Sequence, residues 1–125
     1  GNDVGSLCWT TIAIMRHDKR RFVPKCDFIT TPGYLTGPGG REAAGLPKGT
    51  GPSNVVSTLG LLGFDRAHTC RMTLEALCPG VSVEQVIDNT GFELIIPESV
   101  PELAPPTFEE LRLLREEIDR EHLYI

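Results

Sequence analysis

Residues 79–97 combine a polar helix entry, an apolar helical face and an apolar run, and their pattern is the clearest in the chain. Ser82 is placed to cap a helix, and Gln85 stands three residues later, where a capping box needs Glu or Gln. Apolar positions then recur at helical spacing, at Val83, Val86 and Ile87. The pattern predicts a helix that packs on a sheet.

The same segment predicts how that helix ends and where a strand follows. Gly91 comes after the helix, and we expect it in the left-handed conformation that glycine adopts at the least cost. Residues 92–96 form a short apolar run that Pro97 ends, which is typical of a buried strand.

Further apolar runs predict the rest of a sheet. Residues 7–15 show no alternation, so we expect a strand that is buried on both faces, as in a parallel sheet. Residues 28–31 are a second candidate, and residues 54–64 return to strand-forming sequence. We expect residues 70–77 to pair with residues 55–62 as a hairpin. The predicted fold class is α/β, with a mostly parallel sheet and helices on its faces.

A long loop is predicted over residues 32–52, which contain seven Gly and four Pro. Loops of this length in compact domains are usually functional or disordered. Phosphate-binding patterns fail here, because Leu-Pro at 46–47 replaces Lys-Ser/Thr and Glu42 replaces the third glycine of a dinucleotide motif. We expect a shaped loop that packs on a neighbour or lines a substrate entrance. In that loop we expect Tyr34 to be packed and an exposed Arg41 to meet a carboxylate or a ligand phosphate.

A final helix is predicted over residues 107–121. Thr107 and Glu110 have the spacing of a second capping box. An apolar stripe follows at helical spacing, at Leu111, Leu114 and Ile118.

Composition and charge limit the function classes. The 125 residues suffice for one domain, and the formal net charge is −5. The acidic excess lies after residue 97, whereas a nucleic-acid binder usually shows the opposite bias, so we expect no nucleic-acid partner. No apolar run approaches about 20 residues and no signal peptide opens the chain, so we expect no membrane contact and a cytoplasmic location.

Cysteine spacing argues against a metal site. The four cysteines form no Cys-x-x-Cys pair, and we expect reduced, mostly buried thiols. The spacing of His68, Cys70 and Cys78 is not that of a structural zinc site, so we expect no metal.

Five segments together resemble the C-terminal half of the β subunit of family I coenzyme A-transferases, especially the glutaconate CoA-transferase type. Their order and spacing along the chain carry the resemblance. The segments are residues 1–4, 11–17, 21–28, 59–65 and 79–97.

The resemblance implies the α/β fold of that family and a role in acyl-CoA chemistry. In such transferases a glutamate attacks the acyl-CoA thioester, forms an anhydride and then a glutamyl-CoA thioester, and passes CoA to a carboxylate. That glutamate lies early in the β chain, and this chain begins after that point. We therefore expect a fragment or a processed half that supplies scaffold and subunit interface, with coenzyme A as substrate. The implied partners are an α subunit and the N-terminal half of the β subunit, in a hetero-oligomer.

The resemblance also suggests site residues. Gly1, Asn2 and Asp3 match the end of a glycine loop whose backbone N–H groups can approach a thioester carbonyl. Arg16 and Arg41 are candidates for the phosphates of CoA, because guanidinium forks suit phosphate oxygens. Arg16 opens a basic stretch that either ends a strand in solvent, binds an anion or pairs with acids of a partner. For His17 we expect a structural role.

Two alternatives to the transferase remain open at this point. One is a hydrolase on the same scaffold, which opens a ring in a CoA-linked diketone with water. The other is a non-catalytic interaction module that keeps the fold without the site.

Overall fold

The computed structural model describes residues 1–123, and within them four strands and four short α-helices alternate irregularly. In chain order the elements are α1 (Asn2–Leu7), β1 (Thr10–Met15), α2 (Gly40–Ala43), β2 (Gly51–Ser57), β3 (Gly60–Phe64), β4 (Met72–Leu77), α3 (Val83–Asp88) and α4 (Phe108–Arg112). A π-helical segment, Leu113–Ile118, continues α4.

The four strands form one sheet in the order β1-β2-β3-β4. The predicted α/β class is confirmed, but the sheet is mixed and not mostly parallel. β1 and β2 are parallel, whereas β2 with β3 and β3 with β4 are antiparallel. The lengths of the connections explain why these pairs are antiparallel. Two residues join β2 to β3 and seven join β3 to β4, whereas the crossover between two parallel strands needs a dozen or more residues. The predicted hairpin is confirmed between β3 and β4. The strand sequence predicted at residues 54–64 forms two antiparallel strands, β2 and β3.

The predicted strand at residues 7–15 begins later, at Thr10, and is not buried on both faces. β1 lies at the edge of the sheet, with Ile12 59% and Ile14 82% exposed. The apolar run of β1 therefore marks a surface that another protein can cover.

Two other predicted strands differ from the structure. Residues 28–31 form bends and irregular structure instead of a strand. Residues 92–96 make one isolated parallel bridge, between Ile95 and Thr73 on β4, so this segment only borders the sheet.

The core lies between α3 and the antiparallel part of the sheet. Leu62 of β3, Leu74 of β4 and Val86 of α3 are all 0% exposed. The remaining buried core members are Phe22, Val55 and Leu94. Val86 is on the predicted apolar face, which shows that the helical spacing of residues 83–87 identified the packed side of α3.

Capping fixes the start of α3 as the sequence predicts. The Ser82 side chain accepts a hydrogen bond from the Gln85 N–H, and the Gln85 side chain accepts one from the Ser82 N–H. Gly91 has a different role from the predicted one, because its φ is not in the left-handed region. Its N–H donates to the Phe22 carbonyl at 2.7 Å, and a Cβ there would lie 2.6 Å from that oxygen. Close backbone approach explains the glycine.

The last helical segment is shorter than the predicted 107–121. α4 begins after Thr107, whose capping box with Glu110 is present, and helical structure ends at Ile118. No residue of either helical part is buried among the residues that the structure describes.

Candidate functional site

The Gly/Pro loop is held by one buried guanidinium, that of Arg41, which is 3% exposed. Its Nη1 donates to the carbonyls of Pro32 and Gly33 at 2.9 and 3.0 Å, and its Nη2 donates to the Ser6 carbonyl at 2.9 Å. Both Nε and Nη2 also donate to the Thr50 hydroxyl, at 3.3 and 3.0 Å. The two ends of the loop and helix α1 therefore meet at one side chain.

This geometry corrects the expectation that Arg41 is an exposed loop residue. A guanidinium has five N–H groups, and all five of Arg41 point at oxygen atoms of this chain. None of those acceptors is a carboxylate. Arg41 thus positions the loop against α1, and in this arrangement it has no donor left for a phosphate. Sequence reasoning did not find its anchors, because Ser6 is far from Arg41 along the chain and no pattern within the loop pairs Arg41 with Thr50.

Tyr34 packs as the sequence predicts. Its ring lies edge-on to Phe64 of β3 with centroids 5.2 Å apart, and its hydroxyl donates to the Pro52 carbonyl at 2.6 Å. Burial raises the pKa of Tyr34 above its ordinary value of 10.0, so the phenol stays a donor at neutral pH. On the same side Arg66 donates to the Gly49 carbonyl at 2.7 Å, which ties the loop to the β3–β4 turn.

A cleft of about 510 Å³ opens between α1 and the loop, and Asn2 and Asp3 lie along one side of it. Its other side is largely apolar, with Ile29, Leu35 and Leu46. Gly1 precedes α1 as its N-cap, and the Asn2 side chain accepts from the Ser6 hydroxyl at 2.8 Å. Small-molecule sites are usually lined by apolar side chains together with a few polar groups, as this cleft is. We name this the α1 cleft.

Arg16 lies away from the α1 cleft. α1 precedes the first residue of β1, whereas Arg16 follows Met15, its last residue, so the two groups flank opposite ends of one strand. The structure therefore brings Asn2, Asp3 and Arg41 to one side and Arg16 to the other. The side chain of Arg16 is exposed and lines a second cleft with its neighbours.

His17 is buried, with 6% exposure, and links three elements. Its Nδ1 is 2.9 Å from the Ser57 hydroxyl and its Nε2 is 2.9 Å from the Thr90 hydroxyl. The ring stacks on Phe22 with centroids 3.8 Å apart. Burial lowers the pKa of His17 below its ordinary value of 6.5, and the opposing effect of Asp18 is smaller. A buried imidazole with a hydroxyl at hydrogen-bond distance from each ring nitrogen fits the predicted structural role.

Metal-ligating side chains are scattered in this chain. Among residues 1–123, no three His, Cys, Asp or Glu side chains are grouped to hold a metal ion. His68 instead pairs with Asp65, at 2.9 Å, and hydrogen bonds from His68 and Thr69 lower the pKa of that carboxyl. In the same part of the chain, no helix has the length and apolar character needed to cross a bilayer.

Comparison with known proteins shows which family this chain belongs to. The sequence model of the coenzyme A transferase family matches residues 3–89, which run from the first turn of α1 through α3. The chain belongs to the coenzyme A transferase family. The predicted family is thereby confirmed, and the matched part includes both Arg16 and Arg41.

Individual relatives refine this assignment. The chain is 48% identical over 115 residues, 92% of its length, to the β subunit of glutaconate CoA-transferase from Acidaminococcus fermentans. The crystal structure of that enzyme superposes on 99% of the chain with a TM-score of 0.90. The chain is also 38% identical, over 83% of its length, to the β subunit of 3-oxoadipate CoA-transferase from Pseudomonas knackmussii.

A hydrolase subunit is also similar. The chain is 46% identical over 66 residues, 52% of its length, to the cholesterol ring-cleaving hydrolase IpdB subunit of Rhodococcus jostii. The IpdAB crystal structure has a TM-score of 0.71 at 31% identity and matches 91% of the chain. In all these comparisons the chain spans less than half of its relative, for example 42% of the glutaconate enzyme's β subunit and 46% of its structure.

Proposed function

We propose that this transferase-family chain is one component of an enzyme that moves CoA from an acyl-CoA thioester to a carboxylic acid. The observation that carries the proposal is the match to the β subunit of glutaconate CoA-transferase, with 48% identity over 92% of the chain and a TM-score of 0.90. We propose that the attacking carboxylate comes from the N-terminal half of a β subunit, where the family resemblance places the nucleophilic glutamate.

In that reaction this chain would supply the scaffold, a subunit interface and backbone hydrogen-bond donors. Gly1, Asn2 and Asp3 lie where α1 begins, and Asn2 and Asp3 line the α1 cleft. We propose that their N–H groups face the acyl end of the substrate, where donors stabilise a developing oxyanion. Asn2 is held for this by the Ser6 hydroxyl. We also propose a cytoplasmic location for the enzyme.

An exposed apolar surface supports the partner proposal. We call it the α1–β1 surface: Val4, Leu7, Trp9, Ile12 and Ile14 are between 59% and 82% exposed. Patches of this kind mark protein contacts, and an edge strand such as β1 also offers backbone groups for pairing. We propose that an α-type subunit and the N-terminal half of a β subunit cover it in a hetero-oligomer.

A ring-opening hydrolase is the second candidate, and the similarity to IpdB is the observation that favours it. The two reactions leave different products. A transferase moves CoA onto a new carboxylate, whereas a ring-opening hydrolase adds water to the substrate and keeps the thioester.

The test assays this chain together with an N-terminal β segment and an α-type subunit. The substrates are acyl-CoA donors with isotopically labelled glutaconate, 3-oxoadipate or acetate as acceptors, and the chain alone is the control. We expect label to enter the thioester pool only with the complete assembly. Addition of water to a cyclic CoA-linked diketone without transfer of label would establish the hydrolase. If the subunits assemble but neither reaction is detected, both candidate activities are contradicted, and a non-catalytic interaction module remains.

A further inference from the structure

A short basic turn, residues 16–21, follows the carboxyl end of β1. β2 runs parallel to β1 and Met15 is in register with Ser57, so both strands end at the same edge of the sheet. In α/β sheets, ligands bind outside the carboxyl ends of parallel strands. The basic turn therefore lies at the carboxyl edge of the parallel pair β1–β2.

The basic turn concentrates positive charge in an acidic chain. It carries Arg16, Lys19, Arg20 and Arg21 with one acid, Asp18, while the formal net charge of the chain is −5. Arg21 is paired with Asp18. Within residues 1–123, the side chains of the other three cations have no hydrogen bond or ion pair. All five charged residues line one open surface cleft.

The backbone that carries these cations is fixed at both ends. His17 is 6% and Phe22 3% exposed, and the two rings are stacked. Between them, the N–H groups of Arg21 and Phe22 both donate to the Asp18 carbonyl at 3.0 Å, and an Asp18 carboxylate oxygen accepts from the Arg20 N–H at 3.1 Å. A fixed backbone lowers the entropy cost of binding, which favours a prepared site over a loose solvated loop.

We propose that the basic turn holds the phosphorylated adenosine end of CoA, with Arg16, Lys19 and Arg20 on its phosphates. This inference rests on the proposed function, which brings a CoA thioester to the chain. Coenzyme A carries a diphosphate and a 3′-phosphate, and guanidinium forks bind such oxygens in pairs. An acidic surface of a partner subunit is the competing occupant. The concave cleft at the carboxyl edge favours the small ligand.

The binding test compares two triple variants with the same loss of charge. One is Arg16→Gln with Lys19→Gln and Arg20→Gln; its matched control is Lys48→Gln with Arg115→Gln and Arg120→Gln, all exposed cations elsewhere. Titration calorimetry follows binding of CoA and of adenosine 3′,5′-bisphosphate to the chain, alone and assembled with its α-type subunit. We expect the first variant to lose affinity for both ligands by about tenfold or more, and the control by no more than about twofold.

A second arm uses an acyl-pantetheine thioester, which has the reacting carbonyl but no phosphate. We expect the KM for acyl-CoA to rise in the first variant while the KM for acyl-pantetheine and both kcat values stay unchanged. Equal affinity losses in the two variants, or no loss in either, would overturn the proposal. So would weaker subunit association with unchanged CoA affinity, since the cations would then face a partner. The bisphosphate titration still decides the matter if no CoA transfer is found.

Discussion

At the scale of single residues, Arg41 shows how much one side chain fixes in this chain. Its guanidinium joins α1, the start of the loop at residues 32–33 and the end of the loop at Thr50. Arg41→Ala would remove five hydrogen bonds and leave buried carbonyls without that donor. We expect the free energy of unfolding to fall by about 3 kcal/mol. Urea titration followed by circular dichroism measures the loss.

Two further variants test the cause of that loss. Lys48→Ala removes an exposed cation from the same loop, and we expect a change within about 0.5 kcal/mol. Arg41→Lys keeps the charge but cannot form the fork, so its stability should lie between those of the wild type and Arg41→Ala. A wild-type stability for Arg41→Ala would return Arg41 to the set of candidate ligand residues.

At the scale of elements, local signals were predictable and long-range ones were not. The capping boxes at Ser82 and Thr107 were identified because their four residues are adjacent in sequence. The role of Gly91 was missed, because the backbone it approaches, at Phe22, is far away in the chain. The candidate strand at 28–31 failed for a related reason, since four strand-forming residues cannot show whether a pairing partner is available.

The two capping boxes start helices that differ in burial. Ser82 caps α3, whose Val86 is fully buried, while α4 after Thr107 buries no described residue. We expect Ser82→Ala to lower the free energy of unfolding by about 1 kcal/mol. Thr107→Ala should leave global stability unchanged and only speed amide hydrogen exchange within α4. Equal shifts in the urea midpoints of both variants would show that α4 is coupled to the core.

At the scale of the whole molecule, the sequence predicted the family, the fold class and the β3–β4 hairpin, but not that residues 54–64 form two antiparallel strands. The predicted parallel pairing holds for β1, but its predicted burial does not, because β1 lies at an exposed edge of the sheet. An apolar run has the same sequence whether it is covered by its own chain or by a partner. Candidate site residues were harder to predict than the fold. Whether an arginine binds a ligand or backbone carbonyls of its own chain depends on its burial, which the sequence does not show.

The α1–β1 surface leads to a prediction about assembly. Ile14 on β1 is 82% exposed, and Phe108 on α4 is 83% exposed. Both tolerate lysine in the folded chain, but only Ile14 belongs to the α1–β1 surface. We expect Ile14→Lys to weaken association with an α-type subunit or with the chain itself by about 2 kcal/mol, roughly thirtyfold in Kd. Phe108→Lys should leave Kd unchanged. Sedimentation velocity at micromolar concentration measures both, and a wild-type chain that stays monomeric with every partner would contradict the assignment.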